Sequence, residues 1–386
     1  MRRFLLLLIV AIVAYGSLYP WNFEFTSTAG NPVRILLHGW PAEWNRYILR
    51  DIVLNVTIYM PLGLAAVLAF RQRRSRGFAA TAAIAFGFLL SVGMELLQVY
   101  VPGRDPSLLD VLTNTLGTAA GAGVAIYFES GIRRLMERRA GQFRAAATLL
   151  LLVWAVGELY PLFPEIGRSH LRQELTLLFR FRGLSVVETW ANAAEWFAAG
   201  LALDAILAHM RTFGLAIAML CVPAQMFIAG RSLTPAEIAG ALLALALWHF
   251  VRRESRARWC AWMLGSAILL RQFQPFYFLA VPQPFSWIPF AATLESSRDA
   301  ATAIIARKAF DYGALIWALR CAGQPFVRAG LAVAVALGAT EAIQTYLPGR
   351  SPEITDPLLA LLMMVLLRSL SPAAGKTAGN TAGKVT

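Results

Sequence analysis

Apolar residues run along this chain in long blocks divided by short breaks rich in Arg, Pro and Gly. Twelve blocks are long enough to cross the roughly 30 Å hydrocarbon core of a bilayer. They lie near 4–19, 52–70, 78–101, 108–128, 146–161, 186–208, 212–229, 235–251, 259–280, 304–320, 328–346 and 355–370. Each predicts a helix, because a span must satisfy its backbone hydrogen bonds internally. The first block follows Arg2 and Arg3 and has the outline of a secretory signal, but the same segment recurs twice later, so it reads as a span.

Composition narrows the class. Of 386 residues, 58% are apolar and 15% charged, and the mean hydropathy of +0.58 excludes a single water-soluble domain. The net charge is +13, yet the arginines sit in tight clusters between apolar blocks, such as Arg71, Arg73, Arg74 and Arg76. That is the distribution of cytoplasmic loops, and no nucleic-acid partner is expected. With the N-terminus inside, 21 of the 35 Lys and Arg fall on cytoplasmic segments. Both termini are therefore expected in the cytoplasm. Three cysteines and four histidines are scattered, so neither a disulfide framework, a metal site nor a cofactor is expected. Ser371 to Thr386 reads as a disordered tail.

Sliding the sequence on itself brings out a repeat. ELLQVYVPGRDPSLLD at 95–110 and EAIQTYLPGRSPEITD at 341–356 align without a gap and share eight of sixteen residues, nearly all polar, Gly or Pro. A weaker copy, AQMFIAGRSLTPAE at 224–237, keeps Gln225, Gly230 and Arg231 and places Glu237 where the others have Asp. The preceding helices also correspond: Asp51 and Asn55 match Glu188 and Asn192. SLYPWNF at 17–23, ELYPLFP at 158–164 and RQFQPFYF at 271–278 each leave a span at a proline among aromatic residues. The expected fold is an all-α polytopic membrane protein of three four-helix repeats, 1–128, 145–251 and 259–370, followed by the tail 371–386. Four helices is an even number, so the repeats run parallel, and a pseudo-threefold axis along the membrane normal is the expected arrangement.

The polar residues of the first copy fall on three helix faces: Asp51 and Asn55; Glu95 and Gln98; Asp110 and Asn114. Arg104 sits in the Pro-Gly turn between the last two. Ionisable groups inside a span are costly and turn toward protein partners. Two readings fit. One is a structural clasp of Glu95, Arg104 and Asp110, with Gly117 and Gly121 letting helices approach closely. The other is an outer-leaflet pocket with acids for a proton, cation or amine and an Arg fork for phosphate or carboxylate. No nucleophile with its base is recognisable, so a binding role ranks above catalysis, and an almost purely apolar inner half counts against transport. Arg271, near the outer end of the ninth span, reads as a snorkelling side chain.

These residues resemble the VanZ-like family of small polytopic bacterial membrane proteins. The family pattern falls on Asp51, Asn55, Glu95, Gln98, Arg104, Asp110, Asn114 and Gly117. The middle copy keeps Glu188, Asn192, Gln225 and Arg231, with Glu237 as the late acid; the last keeps Glu341, Gln344, Arg350 and Asp356 but has Ala360 in place of the later Asn. The resemblance implies a bacterial inner-membrane protein linked to the cell envelope and to glycopeptide (teicoplanin) resistance. Its partners would be membrane lipids and a lipid-linked envelope precursor.

Overall fold

The computed structural model describes residues 2–25, 30–41, 43–71, 75–128, 139–160, 167–179, 184–207, 215, 219–228, 232–295 and 298–370. Helix is their main regular structure, and no β-strand is found among them. Eleven of the twelve expected spans coincide with helices to within a few residues at most ends. The block at 212–229 lies largely outside the described residues, as do Arg231 and the tail 371–386. The chain divides into two compact units, Met1–Arg134 and Leu135–Thr386. The second and third expected repeats therefore fall within one unit.

Unit 1 contains α1 (Arg2–Leu18), α2 (Pro32–His38), α3 (Arg46–Phe70), α4 (Arg76–Gln98) and α5 (Leu108–Tyr127). Polar caps fix several helix starts. The Asn45 side chain accepts from the backbone N–H groups of Tyr47 and Ile48, Ser75 from Phe78, and Ser107 from Asp110. The closest packing is between α3 and α5, where Gly117 lies against the backbone of Val56 and Gly121 against that of Met60. A Cβ at either position would strike a main-chain carbonyl. Small residues are what allow two backbones to meet in a membrane, where apolar burial gives helices no preference for each other over lipid.

Unit 2 contains α6 (Arg139–Leu159), α7 (Arg168–Phe179), α8 (Val186–Leu207), α9 (Pro235–Phe250), α10 (Arg256–Phe273), α11 (Arg298–Cys321), α12 (Phe326–Gln344) and α13 (Thr355–Leu370). Its buried apolar residues form one continuous core drawn from both repeats, including Trp154, Phe197, Trp248, Phe310 and Trp317. Besides packing on the second long helix of its own repeat, α6 packs on α11 and α10 packs on α8. Each repeat thus lends its first helix to the second long helix of the other. Such reciprocity defines an approximate twofold relation, whereas a threefold ring would give one-way contacts.

Among the described residues, three helices suffice by length and composition to cross a membrane: Tyr47–Phe70, Arg76–Gln98 and Phe326–Gln344. Arg3–Leu18 and Pro235–Phe250 are apolar but shorter, and some longer helices carry charge. Glu188 and Glu195 lie on α8, Arg271 on α10, and Arg307, Lys308 and Asp311 on α11. These are the helices that the twofold packing brings together inside unit 2.

Candidate ligand site

In unit 1 the motif residues tie helices to one another. The Glu95 carboxylate, buried, accepts from the backbone N–H of Ser107 at 2.9 Å, which fixes the start of α5 against the end of α4. Asn114 donates to Ser91 Oγ at 2.9 Å, and Asn55 to Thr113 Oγ1 at 3.4 Å. Gln98 donates to the Ser17 carbonyl at 3.0 Å. Arg104 directs its guanidinium to the end of α1, with Nε at 3.1 Å and Nη2 at 2.9 Å from the Tyr19 carbonyl. Asp51 is exposed, one turn before Asn55, and Asp110 lies in the first turn of α5. A carbonyl cluster at a helix C-terminus is a natural seat for a guanidinium, since the last four C=O groups lack helical partners.

The same contacts recur in unit 2. Arg350 Nε donates to the Gln274 carbonyl at 2.9 Å and Nη2 to the Arg271 carbonyl, as Arg104 does to Tyr19 and Gly16. Glu341 accepts from the Glu353 N–H at 2.9 Å, as Glu95 does from Ser107. Gln225 donates to Glu158 at 2.6 Å, and Gln344 to Gln272. Ser17, Glu158 and Gln272 all stand three residues before a proline, so three glutamines reach three corresponding positions. Glu237 belongs to a capping box with Thr234 at the start of α9.

Where unit 2 departs from unit 1 is the charge held between α8, α10 and α11. Glu195, 3% exposed, accepts from Arg271 Nη1 at 2.5 Å and Arg307 Nε at 3.0 Å. Arg271 also holds Glu188 at 2.9 Å, and Arg307 Nη2 donates to Asn192 at 3.1 Å. Arg271 is thus an interior ion-pair partner of two carboxylates and does not snorkel; its guanidinium meets acids that the reciprocal packing of α8 and α10 sets opposite it. A second group surrounds Asp356, which is fully buried. It accepts from Lys308 at 2.6 Å, Tyr312 at 2.6 Å and Gln272 at 2.7 Å. Together the two groups wall a cavity of about 420 Å³, also lined by Asp311, Glu341, Gln344 and Arg350. That volume lies in the range of small-molecule sites.

Of the expected residues, Glu188, Glu341, Gln344 and Arg350 line this cavity; Asn192 and Asp356 support residues that do. Asp51, Asn55, Glu95, Gln98, Arg104, Asp110 and Asn114 belong to unit 1. Arg307, Lys308, Asp311, Tyr312 and Glu195 were missed. Their signal was present: three ionisable residues inside the apolar block 304–320, spaced three and four apart, mark one helix face facing protein.

The family model described as VanZ/LLP1 matches residues 3–129, which is about a third of the chain and nearly all of unit 1. Residues 3–129 are thus VanZ-like, and among the described residues three helices are long and apolar enough to cross a membrane. No curated protein and no solved structure matches the chain.

One consequence concerns Arg104. Arg104→Ala leaves the carbonyls at the end of α1 without their donor, and it is expected to lower the stability of unit 1 by about 1.5–3 kcal/mol, the usual worth of a hydrogen bond to a charged group. Thermal unfolding in detergent, followed by circular dichroism, checks this against wild type.

Proposed function

We propose that the chain is a VanZ-like integral protein of the bacterial inner membrane, with both termini cytoplasmic. Its unit 2 cavity binds the polar part of a cell-envelope lipid or lipid-linked glycan precursor from the outer leaflet. The observation that carries this reading is the cavity of about 420 Å³ at one end of the unit 2 helices, walled by both cations and carboxylates. Charge within spans is expensive, and groups that also line an open volume of this size are placed for a ligand as well as for packing. The positive-inside pattern puts the Pro-Gly turns, and with them this cavity, on the outer side.

The same proposal takes the chain as three tandem VanZ-like repeats. The contacts of Gln98, Gln225 and Gln344, and of Arg104 and Arg350, support it. In this reading unit 1 keeps the family pattern as a set of helix ties, while unit 2 has turned the corresponding region into a binding site. The connection to glycopeptide resistance rests on family resemblance alone.

Native mass spectrometry of the full chain in lipid nanodiscs tests the reading. Wild type is expected to retain a defined lipid or lipid-linked sugar that Lys308→Gln loses and Arg104→Ala keeps. Identical bound species in wild type and a folded Lys308→Gln protein would sink it. Turnover of the retained molecule would place the protein among enzymes.

A further inference from the structure

The charges around the unit 2 cavity divide into those already satisfied and those left over. All three guanidinium nitrogens of Arg271 are engaged by Glu188 and Glu195. Both oxygens of Asp356 are engaged, one by Lys308 and the other by Tyr312 and Gln272.

Asp311 is different. The residue is 7% exposed and lines the cavity. Its Oδ1 is buried without a hydrogen-bond partner among the described residues, and its Oδ2 comes only to 3.7 Å from Arg271 Nη1, too far for a hydrogen bond. A carboxylate taken out of water and given no donor is costly. On the same helix face, three and four residues earlier, stand Lys308 and Arg307. Among the described residues the Lys308 ammonium bonds to Asp356 alone, and its side chain is 33% exposed. Arg307 uses Nε and Nη2, and the residue forms part of the cavity wall.

We propose that this cavity takes a zwitterion of the ethanolamine phosphate type: the phosphate lies against Lys308 and Arg307, and the primary ammonium against the Asp311 carboxylate. The chemistry of each end follows from the unsatisfied groups. An ammonium supplies the N–H donors that Asp311 lacks, in a charge-assisted hydrogen bond. Lys308 and Arg307 supply donors for phosphate oxygens. The spacing fits as well, because one helical turn, about 5.4 Å, separates the acid from the two cations, and a two-carbon linker joins amine to phosphate over a similar reach. The inference rests on the polar-ligand reading above and specifies its substrate class.

The test compares four probes on the purified full-length protein: a diacyl ethanolamine phospholipid, the glycerol and choline phospholipids of the same chain length, and soluble ethanolamine phosphate. Lipid binding is read by native mass spectrometry and the soluble probe by calorimetry. Wild type is expected to prefer the ethanolamine lipid over the glycerol and choline lipids by about tenfold or more, the worth of one charge-assisted hydrogen bond. Asp311→Asn, nearly identical in shape, should erase that preference while glycerol-lipid binding stays; Lys308→Gln should weaken all the lipids. Binding of soluble ethanolamine phosphate with the same Asp311 dependence would mean that the free headgroup suffices. Binding of the lipid alone would mean that the acyl chains are needed. Either result supports the proposal. Equal binding of the three lipids by wild type, which requires no variant, overturns the zwitterion yet leaves the polar-ligand reading standing. Binding of none of the four overturns both.

Discussion

Glu195→Leu is expected to destabilise unit 2 by about 3–5 kcal/mol, the largest single effect in the molecule. The carboxylate bridges Arg271 and Arg307 and is 3% exposed. Without it, two guanidinium groups, on side chains 20% and 37% exposed, face each other with Glu188, Asn192 and Asp311 as remaining polar neighbours. Breaking a buried pair by removing one partner costs this much because it strands a charge, even where the intact pair contributes little net stability. The cost should therefore be largely recovered in the double variant Glu195→Leu with Arg307→Leu, which removes charge from both sides. Thermal or denaturant unfolding of the three proteins in one detergent gives the comparison. A single variant as stable as wild type would mean that water reaches this site freely.

The second large effect lies in unit 1. Gly121→Ala is expected to cost about 2–3 kcal/mol or to prevent accumulation of folded protein, because its Cβ would strike the Met60 carbonyl and α3 and α5 would have to separate. Two residues along the same helix, a Cβ at Gly123 would meet nothing within 4 Å. Gly123→Ala is therefore expected to be neutral or to stabilise by up to about 1 kcal/mol, as alanine is the better helix former. Fluorescence-detected size exclusion after a heat step separates the two outcomes. Equal behaviour of the two variants would remove the close α3–α5 approach as a determinant of the fold.

Much of this molecule is legible from one-dimensional pattern. Apolar block length located the helices, since a span must be continuous, roughly 20 residues long and internally hydrogen-bonded. The repeated Gln, Arg and Glu located the turn contacts, because they act over short range, on carbonyls and N–H groups that the adjoining helix ends always present. α2 and α7 were not anticipated, since each is too short and mixed in composition to register as a block.

What the sequence by itself determined, then, is the helical class and the Gln, Arg and Glu residues that make corresponding turn contacts in the two units. Tertiary structure alone decided that residues 146–367 share one core, that α6 packs on α11 and α10 on α8, and that Arg271 meets Glu195 across 76 positions of chain. It also decided where the cavity lies. The most complete copy of the motif is in unit 1, yet the mixed-charge pocket is in unit 2, because it is built from α8, α10, α11, α12 and the turn before α13 together. The physical reason is that a charge in a span is tolerable only opposite a partner, and which helix supplies that partner depends on packing between repeats that no local spacing encodes.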